Sequence, residues 1–275
     1  MGCEVIQCHE VGEDDASVGA YLRRDILSNT SILECVERGV PPGPKQVWVA
    51  SQGEDVVGVM IAGSDAADIA CDRPEGLRAL LKLLDGSHQY LFMVRGELRT
   101  ELVKHIRCTG DAVDDVVTLT VGAADIAPVD AEGVVRKLGA SDRALVEAFP
   151  ASGDHEPELW RFVEWAEAHP EAQVVYGIIC EAGLVGFVQA GISVDNVWDV
   201  GMIRVHDGHR RMGWGKAVLA GASRAIVQEG KQLLYQAGVT NRASLAAARA
   251  AGYREVCRTH AYVGFVRSVV DGGAD

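Results

Sequence analysis

The sequence of 275 residues is longer than a usual single domain, and its 48% hydrophobic content is enough for two cores. A net charge of −13 argues against nucleic acid as a ligand and would attract a basic one. The seven cysteines are scattered without a Cys-x-x-Cys pair, which argues for reduced thiols and against a zinc or disulfide framework. No apolar run is long enough to span a membrane and no basic, apolar leader opens the chain, so we expect a cytoplasmic protein with no metal site and no membrane partner.

The first half alternates between helical and strand-like segments, with the Gly53-Glu54 pair as a turn between two strands. The predicted elements are a helical stretch 16–39, strands 47–50, 56–62 and 67–71, helix 74–84, strand 89–94, helix 97–105 and strand 116–121. Residues 122–133 lack periodicity and carry Pro128, which favours a domain boundary there. We therefore expect domains over 1–125 and 126–270, followed by a flexible tail over 271–275.

The second half begins with a strand and two helices and then becomes more regular. Its predicted strands are 134–138, 173–181, 184–193, 197–205 and 232–237, with a hairpin turn at Glu181-Ala182-Gly183. A helix over 213–229 carries an apolar stripe and ends at Gly230, and a further helix is capped by Asn241 and ends at Gly252.

A glycine-containing turn joins the strand that ends at Val205 to the helix that begins near Gly213. Gly213 and Gly215 allow a ligand to approach the backbone, and the N–H groups from about Arg211 to Lys216 would be donors at a helix start, where the dipole favours an anion. The turn can therefore hold a pyrophosphate. The glycine spacing fits neither a dinucleotide fingerprint nor a Walker-type loop, and the alternative is a turn that binds no ligand.

The spacing Arg210-x-x-Gly213-x-Gly215 after an apolar strand resembles the acetyl-coenzyme A signature of the GNAT superfamily of N-acetyltransferases. The segment 239–244, followed by Ala251-Gly252-Tyr253, resembles a second GNAT landmark, and the elements of this half follow the GNAT order. The resemblance implies that acetyl-coenzyme A is bound as the acyl-donor substrate. The residues implied to bind it are Ile203, Val205, Arg210, Arg211, Met212, Gly213, Trp214, Gly215, Lys216, Asn241 and Ser244.

The first half resembles a degenerate duplicate of the same GNAT-like unit. The alternative is an unrelated α/β cap domain. The helix that corresponds to the one after the turn starts at Asp72-Arg73-Pro74, where proline removes a donor, so we expect no cofactor there. The predicted fold is α/β (α+β), with two GNAT-like domains, each a mixed, mostly antiparallel central sheet flanked by helices. This arrangement resembles antibiotic-modifying acetyltransferases of the zwittermicin-resistance type and, more distantly, mycothiol synthase.

Family members transfer the acetyl group by direct attack of an amine on the thioester. The amine must first lose a proton, and Asp199, eleven residues before Arg210, is the predicted base, acting through water. A structural or solvent-facing Asp199 is the alternative, and His206 and His209 are competing bases.

The carbonyl oxygen of the thioester needs a hydrogen-bond donor. GNAT strands bulge at the point that corresponds to Gly201, and we assign the donor to the backbone N–H of Ile203 or of Val205.

The departing thiolate needs a proton. In many family members the acid is a tyrosine seven residues after the asparagine that corresponds to Asn241, but in this sequence that position is Ala248. Ser244 matches a branch resembling the ribosomal-protein acetyltransferases, in which a serine hydrogen-bonds the sulfur; a plain helix residue is the alternative. Tyr235 and Tyr253 are interpreted as packing residues.

We therefore expect an acetyl-coenzyme A-dependent N-acetyltransferase that acts on the primary amine of a small molecule, a metabolite or antibiotic, with the second domain catalytic. The enzyme alternative is a protein or peptide N-acetyltransferase, and the non-enzyme alternative is an acyl-coenzyme A-binding sensor. A homodimer is compatible with the sequence.

Overall fold

The structure of the protein is a computed structural model that describes residues 5–12, 15–39, 45–109, 113–129, 133–149 and 159–267. The described chain packs as two compact units, one formed by the residues up to Val117 together with 257–267, and the other by Thr118–Val256. This grouping differs from the predicted division at residue 125, because the last strand of the chain packs largely with the first unit. The predicted tail 271–275 and residues 130–132 of the predicted boundary lie outside the described residues.

Helices and strands follow one another in the same order in both halves of the chain, except that two strands end the first series and one strand ends the second. The first series is β1 (Ile6–Val11), α1 (Ala16–Leu22), α2 (Thr30–Arg38), β2 (Gln46–Gln52), β3 (Asp55–Ala62), β4 (Ala66–Cys71), α3 (Pro74–Leu81), β5 (Tyr90–Arg95), α4 (Arg99–His105), β6 (Ile106–Cys108) and β7 (Val116–Thr120). The second series is β8 (Val134–Lys137), α5 (Arg143–Glu147), α6 (Leu159–Ala168), β9 (Gln173–Cys180), β10 (Gly183–Val194), β11 (Val197–Val205), α7 (Trp214–Gln228), β12 (Gln232–Gly238), α8 (Arg242–Ala250) and β13 (Arg254–Val266).

The first unit is built on a sheet with the strand order β1-β2-β3-β4-β5-β13. Its β4 and β5 are parallel and its other neighbours antiparallel, and β6 adds to β13. Apolar side chains of α3 and α4, such as Leu80 and Leu102, are fully buried in one core with Met60 and Phe92 of the strands. This burial of apolar surface holds the helices on the sheet.

The second unit repeats this plan with the strand order β8-β9-β10-β11-β12. Only β11 and β12 are parallel among these pairs. Helix α7 lies so close to β8 that a Cβ at Gly221 would be 2.6 Å from Cγ1 of Val135. Helices α5 and α6 share a core with β9 and β10 that includes Val163 and Phe187.

In the second half the observed order agrees with the predicted one from the first strand to the last helix, but the single strand β13 follows where a pair of strands was predicted. Each sheet is mixed and mostly antiparallel, as predicted. Within the described residues of each unit, the parallel pair joins the fourth strand of the antiparallel run to the strand after the next helix.

Two local predictions were wrong. The helical stretch 16–39 is broken, because α1 ends at Leu22 and the Asn29 side-chain amide donates to the Leu22 carbonyl at 2.9 Å before α2 begins. Strand β1 was not predicted, because the exposed Gln7, His9 and Glu10 interrupt its apolar pattern at the edge of the sheet. Within the described ranges, no helix is long and apolar enough to cross a membrane.

Candidate active site

The turn between β11 and α7 has the geometry of an anion-binding loop. A short 3-10 helix, Asp207–His209, leads to Arg211 and Gly213, whose φ angles are 62° and 86°. Gly213 caps α7, and no described atom lies within 4 Å of the place where its Cβ would be. The first helical residues have no intrahelical acceptor for their N–H groups, so the turn presents donors at the positive end of the helix dipole.

The side chain of Arg210 helps to shape this turn. Its Nη2 lies 2.7 Å from Asp207 Oδ1, and its Nε donates to the carbonyl of Val205 at 3.4 Å. Arg210 is half exposed in the pair, so the guanidinium can also face a ligand. An exposed pair of this kind contributes little to the stability of the protein.

Strands β11 and β12 are hydrogen-bonded at one end only. Within the described chain their pairing covers Val197–Asp199 and Gln232–Leu234, and beyond it the strands diverge. A cleft of about 840 Å³ opens between them. Its lining residues are Gly201, Met202, Ile203, Arg204, Val205, Arg210, Arg211, Gly213, Gly215, Lys216, Tyr235, Gln236, Ala237, Asn241, Ala243, Ser244, Ala246 and Ala247.

A β-bulge lies where β11 borders the cleft. The pairing with β10 steps from Gln189↔Gly201 to Phe187↔Arg204, so Met202 and Ile203 together oppose a single residue. Met202 has a φ of 48°, which is rare for a residue with a side chain. A bulge leaves backbone groups outside the ladder, so the predicted bulge is present and can direct a backbone N–H into the cleft.

Polar side chains of β12 and α8 face the bulge across the cleft. The Asn241 side chain caps α8 by accepting from the Ser244 N–H at 3.2 Å. The hydroxyls of Ser244 and Tyr235 form a hydrogen bond of 2.5 Å. Burial raises the pKa of the Tyr235 phenol, and the charge of Asp199 raises it further.

Asp199 occupies the point where the two strands part. It is half-buried and belongs to the last hydrogen-bonded pair, Asp199↔Leu234, while the cleft lining begins at Gly201. Its charge also raises the pKa of the Tyr253 phenol, an effect smaller than that of burial. Asp199 therefore lies next to the cleft rather than on its surface, which is consistent with action through water.

Most of the predicted site residues meet in the cleft, and three do not line it. Met212 is 64% exposed. Trp214 turns toward Gly133, whose Cβ would lie 2.9 Å from Trp214 Cζ3. Asp199 is the third. The two histidines that compete with Asp199 as the predicted base lie in the turn after β11. His206 accepts a hydrogen bond from the Gly208 N–H at 3.1 Å, and its ring packs against that of His209, with the centroids 5.3 Å apart.

Several cleft residues were missed by the predictions, and the sequence held a signal for two of them. Tyr235 directly follows the part of β12 that pairs with β11. Because the two strands diverge at this point, its side chain lines the cleft as well as packing in the core. Arg204 sits between the predicted Ile203 and Val205 and adds a cation to those of the turn. No group of His, Cys, Asp or Glu side chains suited to a metal ion occurs in the part of the chain that the structure describes.

The corresponding place in the first unit is built differently. Only Asp72 and Arg73 separate β4 from α3, which begins with Pro74 at its first turn. The Asp72 carboxylate lies 3.6 Å from Arg24 and 3.7 Å from Arg95, so cations of this unit are directed to the protein's own carboxylate. The connection offers neither the length nor the glycines of the turn before α7.

The sequence of the second unit, which carries the cleft, is similar to a known protein family. Residues 142–253, all within the second unit, match the family described as the acetyltransferase (GNAT) family. No curated protein sequence matches the chain significantly.

Solved structures resemble the chain over nearly its whole length. A GNAT-family acetyltransferase from Colwellia psychrerythraea is 14% identical with a TM-score of 0.62, covering 94% of this chain and 99% of that chain. A tandem GNAT protein from the clavulanic acid biosynthesis pathway is 14% identical with a TM-score of 0.55, covering 98% and 100%. A GCN5-related N-acetyltransferase from Sphaerobacter thermophilus is 14% identical with a TM-score of 0.56, covering 96% of each chain. The chain therefore has the fold of two GNAT-like domains, and its residues 142–253 match the acetyltransferase (GNAT) family.

Proposed function

We propose that the protein transfers the acetyl group of acetyl-coenzyme A to the primary amine of a small molecule, with the second unit as the catalytic domain. The observation that carries the proposal is the cleft between β11 and β12, which joins an anion-binding turn to a bulged strand and a hydroxyl pair. Acetyl-coenzyme A has the matching sequence of groups, with phosphates at one end and a thioester at the other.

The phosphate end is assigned to the turn. Gly213 and Gly215 bring backbone donors close to the ligand, and Arg210, Arg211 and Lys216 supply positive charge beside them. Backbone N–H groups act without rearrangement, which makes them the main contributors to pyrophosphate binding.

The thioester end is assigned to the bulge and the hydroxyl pair. The backbone N–H of Ile203 donates to the carbonyl oxygen, whose negative charge grows as the amine attacks. Ser244 contacts the sulfur, and Asp199 takes the amine's proton through water. Attack, collapse of the tetrahedral intermediate and release of coenzyme A then follow without a covalent enzyme intermediate.

A small-molecule acceptor is favoured by the tandem fold shared with the protein of the clavulanic acid pathway, and the negative net charge would attract a basic amine. We further propose a place near the zwittermicin-resistance type of two-domain acetyltransferases and a cytoplasmic location. A protein or peptide acceptor is the second candidate.

An acetyl-transfer assay tests the proposal. The full-length protein with acetyl-coenzyme A should release free thiol in an amine-dependent manner with a panel of small primary amines, and less with peptides of matched length and charge. A preference for peptide N-termini would favour the second candidate. Tight binding of acetyl-coenzyme A without turnover on any acceptor would identify a sensor.

One acetyl-coenzyme A should bind per chain, because the connection between β4 and α3 lacks the donor-rich turn. Isothermal titration calorimetry on the full-length protein measures the stoichiometry directly. Two sites per chain, or binding that is lost when Arg73 is changed to Ala, would show that the first unit retains a site.

A further inference from the structure

Two hydroxyl groups meet in the cleft from different elements. Tyr235 Oη, on β12, and Ser244 Oγ, on α8, are 2.5 Å apart, and both residues line the cleft. Tyr235 is only 3% exposed, and its ring packs edge-on against Tyr253, with the centroids 5.7 Å apart. The phenol is therefore the buried member of the pair, and its position is fixed by packing.

No acid side chain stands at the neighbouring position of α8. Ala248, one helical turn after Ser244, is completely buried and carries no polar group. A serine hydroxyl is itself a very weak acid, so Ser244 can give a proton to a thiolate only if it receives another at the same time. Tyr235 is the residue that the structure places in hydrogen-bond contact to provide it.

The protonation state of Tyr235 fits this role. Burial raises the pKa of its phenol, the hydrogen bond with Ser244 lowers it, and the charge of Asp199 raises it again, with a net increase. Tyr235 is therefore protonated at neutral pH and has a proton available when negative charge develops in the cleft.

We propose that Tyr235 supplies, through Ser244, the proton that the departing coenzyme A sulfur takes up. The inference rests on the proposed function. When the carbon–sulfur bond of the tetrahedral intermediate breaks, its electron pair goes to sulfur. Sulfur takes the proton of Ser244 while Ser244 takes that of Tyr235, which leaves a phenolate.

Asp199 completes the cycle. The carboxyl group that received the amine's proton returns it, through water, to the Tyr235 phenolate, which is close enough for the charge of Asp199 to act on it. A phenol is a weaker acid than a thiol, so the transfer of a proton from Tyr235 to the thiolate is unfavourable by itself. A carboxylic acid is a stronger acid than either, so the transfer of a proton from Asp199 back to Tyr235 makes the whole sequence favourable. An ammonium substrate loses two protons on becoming the amide: one passes by Asp199, Tyr235 and Ser244 to the coenzyme A thiol, and the other is released to water. All three residues are restored, and no other reactant is needed.

The test compares two acyl donors of nearly the same shape, acetyl-coenzyme A and its analogue with selenium in place of sulfur. A selenolate is a weaker base than a thiolate and leaves without protonation. Tyr235→Phe should lower kcat with acetyl-coenzyme A by about tenfold to a hundredfold, the lower range of general acid catalysis, with KM for the donor unchanged. With the selenium donor the loss should fall to about twofold or less, because no proton is needed.

Three further variants complete the design. Ser244→Ala should show the same donor dependence, and the double variant should be no slower than the slower single one, because the two residues act as a unit. Tyr253→Phe is the matched control: its hydroxyl bonds Ser223 at 2.7 Å and does not line the cleft, so the ratio of rates on the two donors should equal that of the parent.

Three outcomes overturn the inference. They are an unchanged rate in Tyr235→Phe, an equal loss on both donors, which indicates a packing role, and the same donor dependence in Tyr253→Phe. Failure of the proposed function is recognised separately, as a parent protein that releases neither thiol nor selenol with any amine or with water.

Discussion

Gly213→Asp should weaken acetyl-coenzyme A binding by at least about a hundredfold, or about 2.7 kcal/mol. The substitution places a carboxylate in open space at the start of α7, where the bound pyrophosphate would otherwise lie. Like charges would then meet, and the backbone could no longer approach the ligand closely. A side chain at a φ of 86° also strains the backbone, so the control must carry the same strain. Isothermal titration of the full-length variant with acetyl-coenzyme A measures the effect.

Gly230→Asp is the matched control at the other end of the same helix. Gly230 has a φ of 80°, close to the 86° of Gly213, and no described atom lies within 4 Å of its Cβ position either. This variant should bind acetyl-coenzyme A like the parent. Arg210→Ala should cost only about tenfold, because the backbone donors remain and the guanidinium already pairs with Asp207. Unchanged affinity in Gly213→Asp would contradict the assignment of the turn.

Asp199→Asn should lower the acetyl-transfer rate at pH 7 by about a hundredfold or more, the usual size of general-base catalysis. Asparagine keeps the shape of the side chain at the parting of β11 and β12 but cannot accept the amine's proton. Affinity for acetyl-coenzyme A should stay near that of the parent, because Asp199 does not line the cleft. Steady-state rates and a titration on the same sample separate the two effects.

The pH dependence of Asp199→Asn gives the sharper test. An alkylammonium has a pKa of about 10, so above that pH the amine arrives deprotonated and the profiles of parent and variant should converge. Asp68→Asn is the control, since Asp68 holds the same register position in the first unit, the third pair of its parallel strands. Burial raises the pKa of Asp68 to about 7, yet its loss should leave the rate unchanged. Full activity of Asp199→Asn at pH 7 would redirect attention to His206 and His209.

Local chemistry made much of the fold and the turn predictable. Gly183 at a hairpin, Gly213 at the start of α7 and Gly230 at its end all have positive φ angles, which the sequence signals through residue type alone. Strand and helix order followed from the alternation of apolar residues. These features depend on neighbours along the chain, and a single sequence contains that information.

Features that depend on tertiary geometry were harder to predict. Contact between Tyr235 and Ser244 requires β12 to diverge from β11, which no local pattern records, so Tyr235 was interpreted as a packing residue. Met212 and Trp214 were assigned to the cofactor from their place in the motif. Arg211 and Gly213 both have positive φ angles, and with this turn of the backbone neither Met212, between them, nor Trp214, after them, lines the cleft.

The position of strand β13 determines when the sheet of the first unit can be completed during synthesis. Its residues 259–264 pair with β5 and its residues 264–266 with β6, so the sheet of the first unit contains a strand translated at least 150 residues after its neighbours. A growing chain usually folds from its N-terminal domain onward. On the ribosome, the first unit of this chain instead carries an open sheet edge while Thr118–Val256 is being made. The first unit therefore emerges before the second but is completed after it, and its exposed strand edge must be kept from pairing with other chains during that interval.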